Sequence, residues 1–188
     1  MKFKLVPEPP ASLALVAEAH AAVPLVPGSE DDCCARLMRR VGFRSRDVAR
    51  TWLTFLRAVG LAEETPDGFK RLRDDPTPEL LRERLLDGVY GASNTADALL
   101  ATADPLDAAA AFEGFADRVP NWERYRTDDW ESVWRERVER HLEWFVLLDL
   151  AESVDGGYRP TDRLRALRDD DSADSEDTGS HDTTDDDA

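Results

Sequence analysis

The chain has 188 residues and a net charge of -16, with 40 acidic against 24 basic residues, 41% hydrophobic and 34% charged. That length can bury the core of one ordinary domain or two small ones, and no apolar run approaches the ~20 residues of a membrane span. Cys33 and Cys34 are adjacent, so they close no loop and offer no metal-ligand spacing. His20, His141 and His181 lie far apart and no glycine-rich phosphate loop is present, which leaves the common enzyme classes without their usual groups. No basic-then-apolar leader opens the chain. Composition therefore points to a cytoplasmic, non-enzymatic protein with no membrane contact, catalytic residue, cofactor or metal.

In chain order, Lys2-Phe3-Lys4-Leu5-Val6 reads as a short strand, and Pro9 and Pro10 set up a helix from about Ala11 to Ala22. Ser29 with Asp32 is a capping pair opening a helix to about Arg40 that Gly42 ends. Ser45, with Asp47 just inside, opens a second helix over Arg46 to Val59, stopped by Gly60. The two are joined by about four residues, a helix-turn-helix spacing. Leu61-Ala62-Glu63-Glu64 and Phe69-Lys70-Arg71-Leu72 flank Thr65-Pro66-Asp67-Gly68 as a hairpin.

Further helices are expected from Pro78 to Gly88 (cap Thr77), near Thr95 to Thr102, from Pro105 to Val119 (cap Asp104) and from Asp128 to Leu148 (cap Thr127). The end of the last one repeats an earlier pattern. Trp144 to Glu152, then Asp155-Gly156-Gly157-Tyr158-Arg159, mirrors Trp52 to Glu63 followed by Asp67-Gly68-Phe69-Lys70, and Thr161-Asp162-Arg163-Leu164 echoes the basic close of the first copy. The final residues, Asp169 to Ala188, hold ten acids and no large apolar side chain, the composition of a disordered tail.

Three helices closed by a two-stranded ribbon resemble the winged-helix fold over about residues 11 to 73, and the join from helix through Val59-Gly60-Leu61 and the acidic pair to Phe69-Lys70-Arg71 is similar to that between recognition helix and wing in that superfamily. The resemblance implies a mainly α chain with short β-hairpin wings in tandem: unit one over 1–75, a helical connector over 76–127, unit two over 128–168, and the tail over 169–188. Only Lys2, Lys4 and Lys70 are lysine against 21 arginines, and 25 of the 40 acids are aspartate. That balance resembles the proteome of salt-in halophilic archaea, in which acidity is a solubility adaptation and overall sign says little about partners.

Local charge says more. Residues 36 to 73 carry ten basic side chains against four acidic ones. On a helix at ~100° per residue, Val48, Trp52, Phe55, Leu56 and Val59 form one apolar face, and Arg46, Arg50 and Arg57 fall together opposite, with Leu53 as an apolar intruder. The resulting expectation is a DNA-binding protein, a transcription regulator or chromosome-associated factor. Its Arg46, Arg50 and Arg57 would read a major groove while Arg39, Arg40, Arg44, Lys70 and Arg71 meet phosphates of double-stranded DNA. The alternative is a protein-interaction module in a transcription or chromosome-segregation assembly, with unit two as the partner surface. An arginine row left exposed and unpaired favours the first; a paired row favours the second. Trp130, Trp134, Val138, His141, Leu142, Phe145 and Leu148 form a stripe that reads as core. Glu30-Asp31-Asp32 read as a helix's negative first turn, and the two cysteines as small hydrophobes.

Overall fold

A computed structural model describes Phe3, residues 5–125 and residues 128–177, with side chains through Asp169. Helices α1 (Ala14–Ala22), α2 (Glu30–Val41) and α3 (Arg46–Ala58) precede strands β1 (Ala62–Thr65) and β2 (Gly68–Arg71). Then come α4 (Pro78–Gly88), α5 (Ala92–Leu100), α6 (Ala108–Glu113), a 3-10 turn at Ala116–Arg118, α7 (Asn121–Arg124), α8 (Trp130–Leu147), β3 (Ala151–Val154), β4 (Gly157–Pro160) and α9 (Asp162–Asp177). Both hairpins are antiparallel, Ala62 opposite Arg71 and Ala151 opposite Pro160. Among the described residues the fold is therefore mainly α with two short β-hairpin wings.

Local chemistry accounts for most boundaries. The Ser29 hydroxyl accepts from the Asp32 amide at 3.1 Å, Ser45 from Val48 at 3.2 Å and Thr77 from Leu80 at 3.3 Å, each satisfying an orphan donor of a first turn. Gly42 closes α2 in the left-handed conformation, φ 85°. Three expectations shift. Of the strand expected at residues 2–6, Phe3 makes a single bridge to Val89, Leu5 and Val6 join no strand, and Lys2 and Lys4 lie outside the described residues. The helix expected to start at Asp104 is capped by Asp107 instead, because Leu106 is held extended by mutual backbone bonds with Tyr158, both 3.0 Å. That helix ends at Gly114, where Phe115 turns in beside Phe112.

The repeat extends further back than its aromatic signature. Gly28 exchanges backbone bonds with Phe69 (2.8 and 3.0 Å) as Leu106 does with Tyr158, adding one residue of a third strand to each wing. Leu61 bonds back to Leu56 and Leu150 to Phe145, at 2.7 and 2.8 Å; Leu72 closes on Leu61 and Thr161 on Leu150, at 2.9 and 3.0 Å. Gly60 and Asp149 occupy the same left-handed joint, φ 63° and 59°. A Cβ at Gly68 would stand 2.2 Å from the Gly28 carbonyl oxygen, and one at Gly157 2.6 Å from that of Leu106, so the close approach of wing and third strand demands glycine in both copies. Helices α5 and α6 thus stand to α8 and β3–β4 as α1 and α2 stand to α3 and β1–β2. They pack on α8 and on each other.

The two halves share one core. Phe55 of α3 and Trp144 of α8 occupy corresponding positions and meet with ring centroids 4.5 Å apart, and Trp52 reaches the same indole at 6.3 Å. Trp144 donates its Nε1–H to the Pro7 carbonyl at 2.8 Å. From α4, Arg82 donates to Leu148 O (2.7 Å) and Arg84 to Gly60 O (2.8 Å), capping the ends of α8 and α3 in turn. A second aromatic cluster, Tyr90, Phe112, Phe115, Trp130 and Trp134, fills the distal half. The last helix continues past Asp169 to Asp177, so the first part of the expected tail is helical: Leu164 is buried and Leu167 packs against the core, and once nucleated a helix propagates at one bond per residue. The rest of that segment, 178–188, and the expected cap Thr127 lie outside the described residues.

His141 is buried on the α8 stripe. Thr95 Oγ1 donates to Gly91 O, so it accepts from His141 Nδ1–H at 3.2 Å, and Nε2 has no protein partner. Desolvation, helped by Arg137, lowers the imidazole pKa from 6.5 to about 3. The native state then refuses a proton that the unfolded chain takes up below pH 6.5, so stability falls as pH drops from 6.5 towards 3, by up to ~1.4 kcal/mol per pH unit. Denaturant melts of wild type and His141→Gln across that range at constant salt should show the slope difference; parallel profiles would contradict it.

Candidate nucleic-acid interface

The Ser45 cap fixes the start of α3, and the aromatic contacts of Trp52 and Phe55 with Trp144 fix its rotation. Trp52 stacks on Phe43 (5.2 Å, 19°) and is edge-on to Phe55, and its contact with Trp144 places it at the junction between halves. With that face turned to the core, Arg46, Arg50 and Arg57 lie on the other side, as expected. Their surroundings differ from the expectation. Arg46 pairs with Asp31, and Arg50 donates Nε–H to Glu30 Oε1 at 2.8 Å with Asp47 at 3.7 Å; the Glu30 bond raises the arginine's pKa further. Arg57 donates to Glu64 at 2.5 Å, lies 5.0 Å from the Phe3 ring and 5.2 Å from that of Phe69, and keeps only 22% of its side-chain exposure.

The row is therefore neutralised within its own half by the first turn of α2 and by β1. Leu53, the apolar intruder, is buried at 2% exposure, because the side of α3 that carries it is covered. From Thr51 to Ala58 no residue of α3 is fully exposed. A groove-reading helix must present a face to base edges, and here only its first turns reach solvent, flanked by Glu30, Asp31 and Asp47.

The phosphate-contact residues divide. Lys70 pairs across the wing with Glu63 at 2.8 Å. Arg39, Arg40 and Arg44 are exposed at the end of α2 and in the turn after it, and neither they, Arg71 nor Arg73 makes an ion pair or side-chain hydrogen bond. Among the described residues only Arg118 and Arg159 share that status, so unit one retains most of the unpaired cations. Arg36 instead donates to Ala22 O at 3.0 Å, and the Arg71 amide donates to Pro24 O at 2.8 Å, which sets these two arginines beside the end of α1. A cleft of about 540 Å3 lies between the amino-terminal prolines and the α2–α3 turn, and its lining balances Arg44 and Arg140 against Glu8 and Asp47. No cluster of three metal-ligating side chains occurs among the described residues. Cys33 and Cys34 are buried free thiols whose pKa values burial pushes up, the opposite of a reactive thiolate.

Two contributors escaped sequence reasoning. Phe3, taken as strand, is the ring that covers Arg57, and nothing in its neighbours' polarity signals that. Glu30 and Asp31 read in the sequence as the negative first turn of a helix, and their contact with α3 is a tertiary arrangement that no local pattern signals.

Three helices, a wing and a bridging third strand, present twice around one core, define a tandem winged-helix protein. Over residues 1–165 the chain matches the model of the halobacterial double winged helix domain, and it belongs to that family. No curated protein and no solved structure matches it.

Replacing Arg46 and Arg50 together by alanine should change stability by less than about 1 kcal/mol, as exposed pairs usually do, whereas Arg57→Ala, which removes a half-buried pair and two ring contacts, should cost ~1–2 kcal/mol. Urea midpoints of the two variants check this; equal effects would contradict the burial of Arg57.

Proposed function

We propose that this protein is a non-enzymatic winged-helix interaction module that engages a protein partner and does not read DNA with α3. We further propose that its two units are residues 1–75 and about 92–168, joined by α4. The pairing of Arg46, Arg50 and Arg57 with Asp31, Glu30 and Glu64 carries the reading. Driving α3 into a major groove would break these pairs and bring the carboxylates of Glu30, Asp31 and Asp32 against phosphates, where each repels the backbone that otherwise supplies most of the affinity. Burial of the carboxyl-terminal half of α3 supports the same conclusion.

The unpaired Arg39, Arg40, Arg44 and Arg71 favour a second reading, phosphate contact without base recognition. Winged helices commonly bind DNA, and such contact would be non-selective and steeply salt-dependent. Selection of duplexes from a random-sequence pool in molar KCl separates the readings. The interaction module yields no enriched site, and Arg46→Ala/Arg50→Ala behaves as wild type. An enriched duplex whose affinity falls at least tenfold in that double variant would overturn the proposal, and binding confined to low salt and lost in Arg39→Ala/Arg40→Ala would establish the second reading in its place.

A further inference from the structure

Unit one carries an exposed apolar strip among those unpaired arginines. Leu25 and Val26 remain 52% and 74% exposed in the loop after α1, and Met38 is 36% exposed on α2. A groove of about 340 Å3 lies beside Val26, walled by Pro27, Ala35, Arg36 and Arg39, with Asp32 as its one carboxylate. Isolated exposed apolar residues need no explanation; a strip of them beside uncompensated guanidinium groups in a chain this acidic does.

The duplication supplies an internal control. Counting from the corresponding caps Ser29 and Asp107, the positions of Leu25, Val26 and Ala35 are taken in unit two by Ala103, Asp104 and Glu113, all exposed. The same backbone facing solvent thus carries Leu25, Val26 and Ala35, all apolar, in one copy, and an alanine with two acidic side chains in the other. Solvation alone does not produce that contrast.

We infer that the α2 face of unit one, centred on Val26, Met38 and Arg39, is the docking surface for an acidic amphipathic segment of a partner protein. This rests on the interaction-module reading and deepens it. The apolar strip accepts the segment's large side chains, and Arg39 and Arg40 accept its carboxylates. Arginine and methionine are enriched in such interface cores. At molar salt the Debye length is only ~3 Å, so charge acts at contact range and the apolar burial carries the affinity. The chain's own acidic segment, residues 169–188, offers no large apolar side chain and lacks the anchors such a site needs. A nucleic acid gives phosphates but nothing for Val26.

A displayed random-peptide library, selected in molar KCl on the whole chain and counter-selected on Val26→Asp and Arg39→Glu, tests this. Both positions are exposed, so folding is preserved, as an unchanged melting temperature will verify. Enriched peptides should combine glutamate or aspartate with leucine or phenylalanine at helical spacing. Their affinity should drop at least tenfold in either variant and stay unchanged in Arg118→Glu of unit two. The inference is overturned if no sequence survives counter-selection, if polyglutamate binds equally well, or if the surviving peptides are basic. It is also overturned if Val26→Asp abolishes self-association of the wild-type chain, since the occupant would then be a second copy. Failure here with no selected duplex leaves the interaction module standing without this surface, whereas a selected duplex sensitive to Arg46 and Arg50 removes the module reading itself.

Discussion

The contact between Phe55 and Trp144, 4.5 Å between ring centroids, is the constraint on which the rest of the molecule turns. The two residues hold corresponding positions on the third helix of each winged-helix unit, so the helix that elsewhere in this superfamily faces a partner is here spent on joining two copies. Trp52 and Phe43 extend the contact on one side, and the Pro7 carbonyl on the indole N–H closes it on the other. Arg82 and Arg84 of α4 then tie down the carbonyls at the ends of both helices. The buried rings of Trp52, Phe55 and Trp144, with Phe43 partly buried against them, contribute several kcal/mol, comparable with the ~5–15 kcal/mol that stabilises a typical domain. The buried residues of both halves form one continuous core.

From that packing the charge arrangement follows. Rotating the apolar side of α3 into the shared core turns Arg46, Arg50 and Arg57 towards α2 and the wing, where Asp31, Glu30 and Glu64 meet them. The arginine row is a neutralised seam of unit one, and the free cations lie one helix away on α2. Arg39 and Arg40 of α2 thus stay unpaired while the arginines of α3 are paired.

How much of this was legible in the residues depended on range. The caps Ser29, Ser45 and Thr77, the Asp67-Gly68 turn and the helical periods are local and were readable directly. The Leu61-Ala62-Glu63 and Leu150-Ala151-Glu152 echo exposed the duplication, but only its aromatic and wing portions. Helices α5 and α6 are rich in alanine and separated from α8 by a longer segment than α2 is from α3, so they read as connector. Helical-wheel geometry placed Arg46, Arg50 and Arg57 on one side of α3 correctly; a wheel has no knowledge of what stands opposite, and the opposing groups come from α2, β1 and Phe3. Leu53 within the arginine row was the one local sign that the face is covered.

Backbone hydrogen exchange on wild type and Trp144→Ala tests most directly whether α3 is a buried joint. If it is, amides from Thr51 to Ala58 exchange in the wild type only through global unfolding, as slowly as those of α8, and the substitution accelerates both helices together. Should α3 keep its protection when Trp144 is truncated, or exchange quickly in the wild type, the helix is independent of the second unit and its arginine face is available to a partner after all.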